Sequence, residues 1–175
     1  QDIQAMMLRD QPLTQTLEAA CQLVEQQLPG TLCSVMLVDE DEAQTLTLAA
    51  GASLPADYRA AMHRIPMAPD KGTCGSAAWQ RQPVICAEIA TDPRWEGFQQ
   101  IAADAGLAAC WSYPLLNSQG QALGTFAVYR QQPGEPDARE RYLIEQTSAL
   151  VALAIERHCD RKQLAASEQR YRSLF

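Results

Sequence analysis

Apolar positions along the chain follow two rhythms. Between Pro12 and Leu28, the residues Leu13, Leu17, Ala20, Cys21, Val24 and Leu28 recur every three or four positions. That spacing predicts a helix with one buried face, and Pro29-Gly30 ends it. A weaker stripe of the same kind, Ile3, Met6 and Met7, precedes it. The rhythm then changes. "TLCSVMLVDE" is an almost continuous apolar run and "QTLTLAAG" alternates. With the acidic "DEDEA" between them, they predict a β-hairpin. "SLPADYRAAMHRI" returns to a helical pattern, with Ser53 as its cap and Pro55 suited to its first turn.

The middle section, "PDKGTCGSAAWQRQPVICAEIATDPRW", runs from Pro69 to Trp95. Thr73 in its Gly-Thr-Cys-Gly turn is a candidate N-cap, "GSAAWQR" a short helix, "PVICAEI" a short strand and "TDPRW" a turn. "EGFQQIAADAG" predicts a helix ended by Gly106. "LAACWSYPLLNSQGQALGTFAVYR" is the clearest hairpin, two apolar strands around Asn117-Ser118-Gln119-Gly120. A long helical pattern follows "QQPGEPD". Leu143, Ile144, Thr147, Leu150, Val151, Ala154, Ile155 and His158 share one broad stripe, and helical composition continues to about Ser167. Roughly thirty residues make a rod of ~45 Å, longer than a domain of this size needs. The predicted order is α–β–β–α–(α)–β–α–β–β–α. Hairpins begin and end the sheet, and helices from both termini can lie together on one face.

Composition narrows the function. The chain has 175 residues, 47% of them hydrophobic, which suits one domain with a real core. The formal charge is −7. An acidic chain is a poor partner for nucleic acid, which needs clustered Lys and Arg. Arg157, Arg161, Lys162, Arg170 and Arg172 do gather near the C-terminus, but acids alternate with them, as on a solvated helix face. No apolar run approaches the ~18 residues of a membrane span, so no membrane contact is expected within this fragment. The chain opens on Gln rather than Met and shows no signal segment, so it reads as a piece of something longer. Its six cysteines (Cys21, Cys33, Cys74, Cys86, Cys110, Cys159) include no Cys-x-x-Cys pair, and the histidines are His63 and His158. No metal site is expected from that spacing. Scattered cysteines in apolar contexts fit a reduced, cytoplasmic protein.

The element order and several motifs resemble a GAF domain. "LCSVMLVDED" is similar to that family's first strand. "GTCGSAAWQRQPVICAEIATDPRW" resembles its middle section in bacterial signalling proteins, and "ACWSYPLLNSQGQALGTFAVY" its closing hairpin. The resemblance implies an α+β fold, related to PAS domains, with a central antiparallel sheet of about five to six strands. Terminal helices would pack on one face, and middle helices and loops would cover a small pocket on the other. It also implies a division into an incoming linker helix (1–11), a sensory domain (12–160) and an outgoing linker helix (161–175). "ASEQRYRSLF" looks like the junction into a PAS domain. Parents of this kind are histidine kinases or enzymes of cyclic-di-GMP turnover, and their GAF domains are generally non-enzymatic.

The candidate pocket residues are Cys74, Ser76, Trp79, Cys86, Trp95, Cys110, Trp111, Ser112 and Tyr113. Aromatic walls with few polar groups suit a small ligand. On the strand through 110–115, Trp111, Tyr113 and Leu115 share one face, and Cys110, Ser112 and Pro114 the other. Either face could line the pocket. Cys74 stands in the first turn of its predicted helix, near Lys71, where a thiolate is favoured. It reads either as a reactive thiol or as a small side chain packed under the turn. Cys74, Cys86 and Cys110 together resemble the cysteine set of free-methionine sulfoxide reductases, a second, redox reading. Cys110, however, falls within a strand rather than a loop. "EGFQQIAADAG" lacks the Cys or Cys-His of bilin-binding relatives, the cyclic-nucleotide set of phosphodiesterases is not recognisable, and His63 reads as a surface residue rather than a haem ligand. The cofactor, if any, is left unassigned. Leu143, Thr147, Leu150, Ala154, His158 and Leu164 are the seam along which the last helix could pair with its twin in a homodimer. A third reading is a dimerisation spacer without a ligand.

Overall fold

The structure, a computed structural model, describes residues 2–174. Two helices open it, α1 (Ile3–Leu8) and α2 (Leu13–Gln27). The first hairpin follows, β1 (Thr31–Val38) and β2 (Thr45–Ala50), then α3 (Ala56–Ala61) and a short β3 (Arg64–Pro66). Helix α4 (Gly72–Gln80) leads into β4 (Val84–Cys86). Two 3₁₀ turns, Ile89–Thr91 and Pro93–Trp95, precede α5 (Gln99–Asp104). The closing hairpin is β5 (Ala109–Leu116) and β6 (Ala122–Arg130), and α6 (Ala138–Ser173) ends the chain.

The strands form one six-stranded sheet in the order β3-β2-β1-β6-β5-β4, with every neighbouring pair antiparallel. The first and last hairpins therefore meet at the centre, where β1 pairs with β6 from Thr31 opposite Arg130 to Leu37 opposite Gly124. That central pairing needs glycine. A Cβ on Gly124 would stand 2.0 Å from the Met36 carbonyl oxygen, closer than any side chain tolerates.

Strand alternation divides the interior into two cores. Val35, Trp111, Tyr113, Leu115, Phe126 and Val128 face α2 and α6. Met36, Cys110, Ala127 and Tyr129 face α3, α4 and the turn that carries Trp95. The terminal helices thus lie together on one face, and the middle segments cover the other. Asp137 caps α6 by accepting from Glu140 N at 2.7 Å, while Glu140 accepts from Asp137 N at 3.0 Å. The helix has 36 residues, or about 54 Å. Its buried positions end at Ile155, and every residue from Asp160 to Leu174 is exposed.

Three local expectations change. The helix predicted through Ile65 ends at Ala61, and Arg64–Pro66 joins the sheet edge against β2. A three-residue strand has no period to read. Ser53 does not cap α3; Pro55 stands at that position, and the Ser53 hydroxyl donates to Glu25 on α2. Lys71, not Thr73, is the N-cap of α4, so Thr73 lies inside the helix and its hydroxyl is turned towards the sheet.

Candidate functional site

A small hollow lies between the sheet and the segments that cover it. Ser34 and Met36 of β1 and Tyr129 of β6 form its floor. Leu54, Tyr58, Arg59, Met62 and Ile65 close one side, and Gly72, Thr73, Cys74 and Trp95 the other. The space open to a water-sized body is about 10 Å³, enough for one water. A larger occupant requires the covering side chains to move.

Polar groups within it are few. Tyr58 Oη donates to Tyr129 Oη at 3.0 Å, and their rings meet edge to face, 5.5 Å between centroids. Burial pushes both phenols well above their ordinary range. The Trp95 indole is 1% exposed, and its Nε1–H has no hydrogen-bond partner among the described residues. A buried donor without an acceptor costs free energy that the rest of the fold must offset. The turn holding Trp95 is rigidly built. Asp92 caps it by accepting from Arg94 N at 2.9 Å and forms an ion pair with the Arg94 side chain. Arg94 also donates to the Ile85 carbonyl at 3.3 Å, tying the turn to β4.

Beneath the hollow, α4 rests on β5 through four small side chains. Cys74 Sγ is 3.2 Å from Ser112 Oγ, Ser112 donates to Thr73 Oγ1 at 2.8 Å, and Thr73 donates to Cys110 Sγ at 3.0 Å. Cys110 Sγ also lies 3.7 Å from Ser112 Oγ. The two thiols and two hydroxyls thus form one buried polar cluster centred on Ser112. The close approach of α4 depends on Gly75, where a Cβ would stand 2.5 Å from the Pro66 carbonyl oxygen. As a thiolate, Cys74 would be faced by the polar hydrogens of Cys110 and then Ser112, which lower it below the ordinary thiol range against the opposing effect of burial. Cys110 moves the opposite way: burial and the adjoining Cys74 push it well above its usual range.

Of the residues predicted for the site, Cys74 and Trp95 line the hollow, while Cys110 and Ser112 lie directly beneath Cys74. The structure removes Trp111 and Tyr113 to the opposite core, against α2 and α6. Trp111 is satisfied there: Nε1 donates to the Gly134 carbonyl at 2.9 Å and Arg130 stacks over its ring. Trp79 is 51% exposed on α4 and does not line the hollow. Ser76 is buried but shares its hydroxyl between the Gly72 and Pro69 carbonyls within the α4 turn. Cys86 is buried at β4, where burial and Asp92 push its thiol up to about 12. Thr147 and Ala154, predicted for a helix seam, are buried inside the domain. Leu143, Leu150 and His158 are half-buried, and Leu164 is open to solvent.

Sequence reasoning missed Tyr58 and Tyr129, took Thr73 only as a helix cap, and did not place the apolar lining of Met36, Leu54, Met62 and Ile65. The alternation that separates Cys110 from Trp111 on β5 carries across to β6, where Cys110 pairs with Tyr129. Extending it by one strand would have found Tyr129. Tyr58 gave no signal beyond its place in a short helix.

Comparison with known proteins fits this geometry. A methyl sulfide methyltransferase-associated sensor from Methanosarcina acetivorans is 36% identical over 151 residues, covering 86% of this chain and 15% of that protein. The chain therefore spans a small part of that relative. The GAF domain of a phosphoenolpyruvate-protein phosphotransferase from Coxiella burnetii superposes with a TM-score of 0.75 at 16% identity over 92% of each chain. A free methionine-R-sulfoxide reductase from Neisseria meningitidis, in complex with its substrate, gives a TM-score of 0.67 at 17% identity over 88% of this chain and 84% of that one. At such identities the likeness is one of fold alone. The profile of the GAF domain family matches residues 10–156, agreeing with the sheet order and with the placement of the terminal helices, and the chain belongs to that family.

Proposed function

We propose that this chain is a small-molecule-sensing regulatory domain of a cytoplasmic signal-transduction protein, without catalytic activity of its own. The observation that carries the reading is the unpartnered Trp95 Nε1–H beside an enclosed, largely apolar hollow. A compact ligand with one hydrogen-bond acceptor would satisfy that donor and gain the apolar contacts of Met36, Leu54 and Ile65. Its entry moves α3 or α4, and a ligand acts only through unequal affinity for the two arrangements.

The relay is α6, whose apolar face is held by the sheet and whose residues from Asp160 to Leu174 are exposed. In this reading 1–11 is an incoming linker, 161–175 leads towards a PAS-like module, and the parent output is a histidine kinase or a cyclic-di-GMP enzyme. The sensor name of the Methanosarcina relative supports a signalling role. The exposed Leu153, Leu164, Tyr171 and Leu174 support pairing of two copies through their terminal helices. Thermal-shift screening of the protein against small metabolites tests the reading. A ligand that raises Tm in the native protein and fails to do so in Trp95→Phe supports it. Silence across a broad set leaves a dimerisation spacer.

A further inference from the structure

We infer that Cys74 and Cys110 form a peroxide-reactive pair that closes to a disulfide between α4 and β5. This goes beyond ligand sensing and does not depend on it. Both sulfurs approach one oxygen, Ser112 Oγ, at 3.2 Å for Cys74 and 3.7 Å for Cys110. The pair is unequal in access. Cys74 lines the hollow, whereas Cys110 is fully buried beneath it. The space beside Cys74 takes one water-sized molecule, and hydrogen peroxide is little larger. A bulky oxidant does not fit.

The unequal acidities assign the roles. Donors around Cys74 favour its thiolate, the form that attacks, and Cys110 keeps its proton. The Cys74 thiolate attacks one peroxide oxygen; an S–O bond forms, the O–O bond breaks, and the leaving hydroxide takes a proton to become water. Cys110 then gives up its proton, reachable through Thr73 and Ser112, and attacks the Cys74 sulfur. The S–S bond forms, the S–O bond breaks, and a second water leaves. Two thiols lose two electrons, and one hydrogen peroxide becomes two waters.

The strand position of Cys110, a departure from the resolving loop of free-methionine sulfoxide reductases, is what places it under Cys74 here. Closing the bond requires α4 to settle by the amount that brings two adjoining sulfurs to ~2.05 Å. Gly72 and Thr73 line the hollow and move with it. Oxidation would therefore reshape the pocket.

The test is a peroxide titration of the native chain, with free thiols blocked and tryptic peptides mapped without reduction. Trypsin separates the relevant cysteines: Cys74 lies in 72–81, Cys86 in 82–94 and Cys110 in 95–130. The expected product links 72–81 to 95–130 and forms at least tenfold faster than oxidation of the more exposed Cys159. Cys110→Ser should stop at a sulfenic acid on Cys74, trapped by dimedone, and Cys74→Ser should leave Cys110 reduced. Circular dichroism of each variant checks the fold. A sulfenic acid persisting on Cys74 in the native chain, a different cysteine pair, or oxidation of Cys159 ahead of Cys74 overturns the proposal.

Discussion

Tyr58 on α3 and Tyr129 on β6 join their hydroxyls at 3.0 Å across the hollow, with ring planes at 82°. This is a direct polar link between the covering helix and the sheet, and both rings are buried. Replacing one tyrosine by phenylalanine strands the other hydroxyl without a protein partner. Tyr58→Phe and Tyr129→Phe should each cost about 1–2 kcal/mol. The double variant should cost clearly less than the sum, because no orphan remains. Denaturant unfolding of the four proteins measures the coupling, and strict additivity would refute the link.

The two buried tryptophans should respond differently to the same change. Trp111 Nε1 bonds the Gly134 carbonyl, whereas Trp95 Nε1 bonds no described residue. Trp111→Phe loses a hydrogen bond as well as volume, and Trp95→Phe loses volume only. The first should be about 1 kcal/mol more destabilising than the second. Equal Tm losses would contradict the assignment of Trp95 as the unsatisfied donor.

Asp92 gives the fold an acid sensitivity. Its hydrogen bonds to Arg94 hold its carboxyl down to about 2, below the unfolded value of about 4. A depressed acid stabilises above the unfolded value, and that contribution fades as pH falls from about 4 through 2. Asp92→Asn should therefore lower stability at neutral pH by about 1–2 kcal/mol through loss of the charged cap and pair. It should also flatten the fall in Tm between pH 4 and 2. A variant with the native acid profile would exclude Asp92 as its source.

Gly124 admits no side chain. With a Cβ placed 2.0 Å from the Met36 carbonyl, Gly124→Ala must part β1 from β6 at the centre of the sheet. The expected cost exceeds about 3 kcal/mol, enough to leave much of the protein unfolded or aggregated. Soluble Gly124→Ala with a native Tm would show that the strands can shift freely here.

The exposed end of α6 separates association from folding. Leu164 is 60% exposed, whereas Thr147 and Ala154 are buried. Leu164→Glu should move the chain from dimer to monomer in sedimentation velocity, with the stability of the fold within about 1 kcal/mol of native. Ala154→Glu should instead unfold the domain. A monomeric native chain, or an unchanged dimer in Leu164→Glu, removes this helix from the interface.

How much of this was legible depends on the length of each signal. Long periodic stretches such as α2, and the hairpin around Asn117–Gly120, could be read directly, because burial of one face writes a repeating pattern. β3 could not, since three residues hold no period, and its strand character comes from pairing with Thr45–Thr47. Cys74 and Trp95 were found through their motif, but Trp79 and Trp111 were drawn in by residue type alone. Local sequence does not say which side of the sheet a tryptophan faces. The seam residues Thr147 and Ala154 show the same limit: one helical stripe fits docking on the parent sheet as well as docking on a twin.

Beyond Asp160 the last helix carries no burial, and Arg161 and Lys162 tie its root to the domain through ion pairs with Asp10 and Glu40. The exposed length from Gln163 to Leu174 is about 18 Å of stiff lever. A tilt of about ten degrees at the fulcrum would carry its tip roughly 3 Å, on that length. Displacements too slight to notice at the tyrosine pair would therefore arrive at Leu174 as a stride of about half a helical turn.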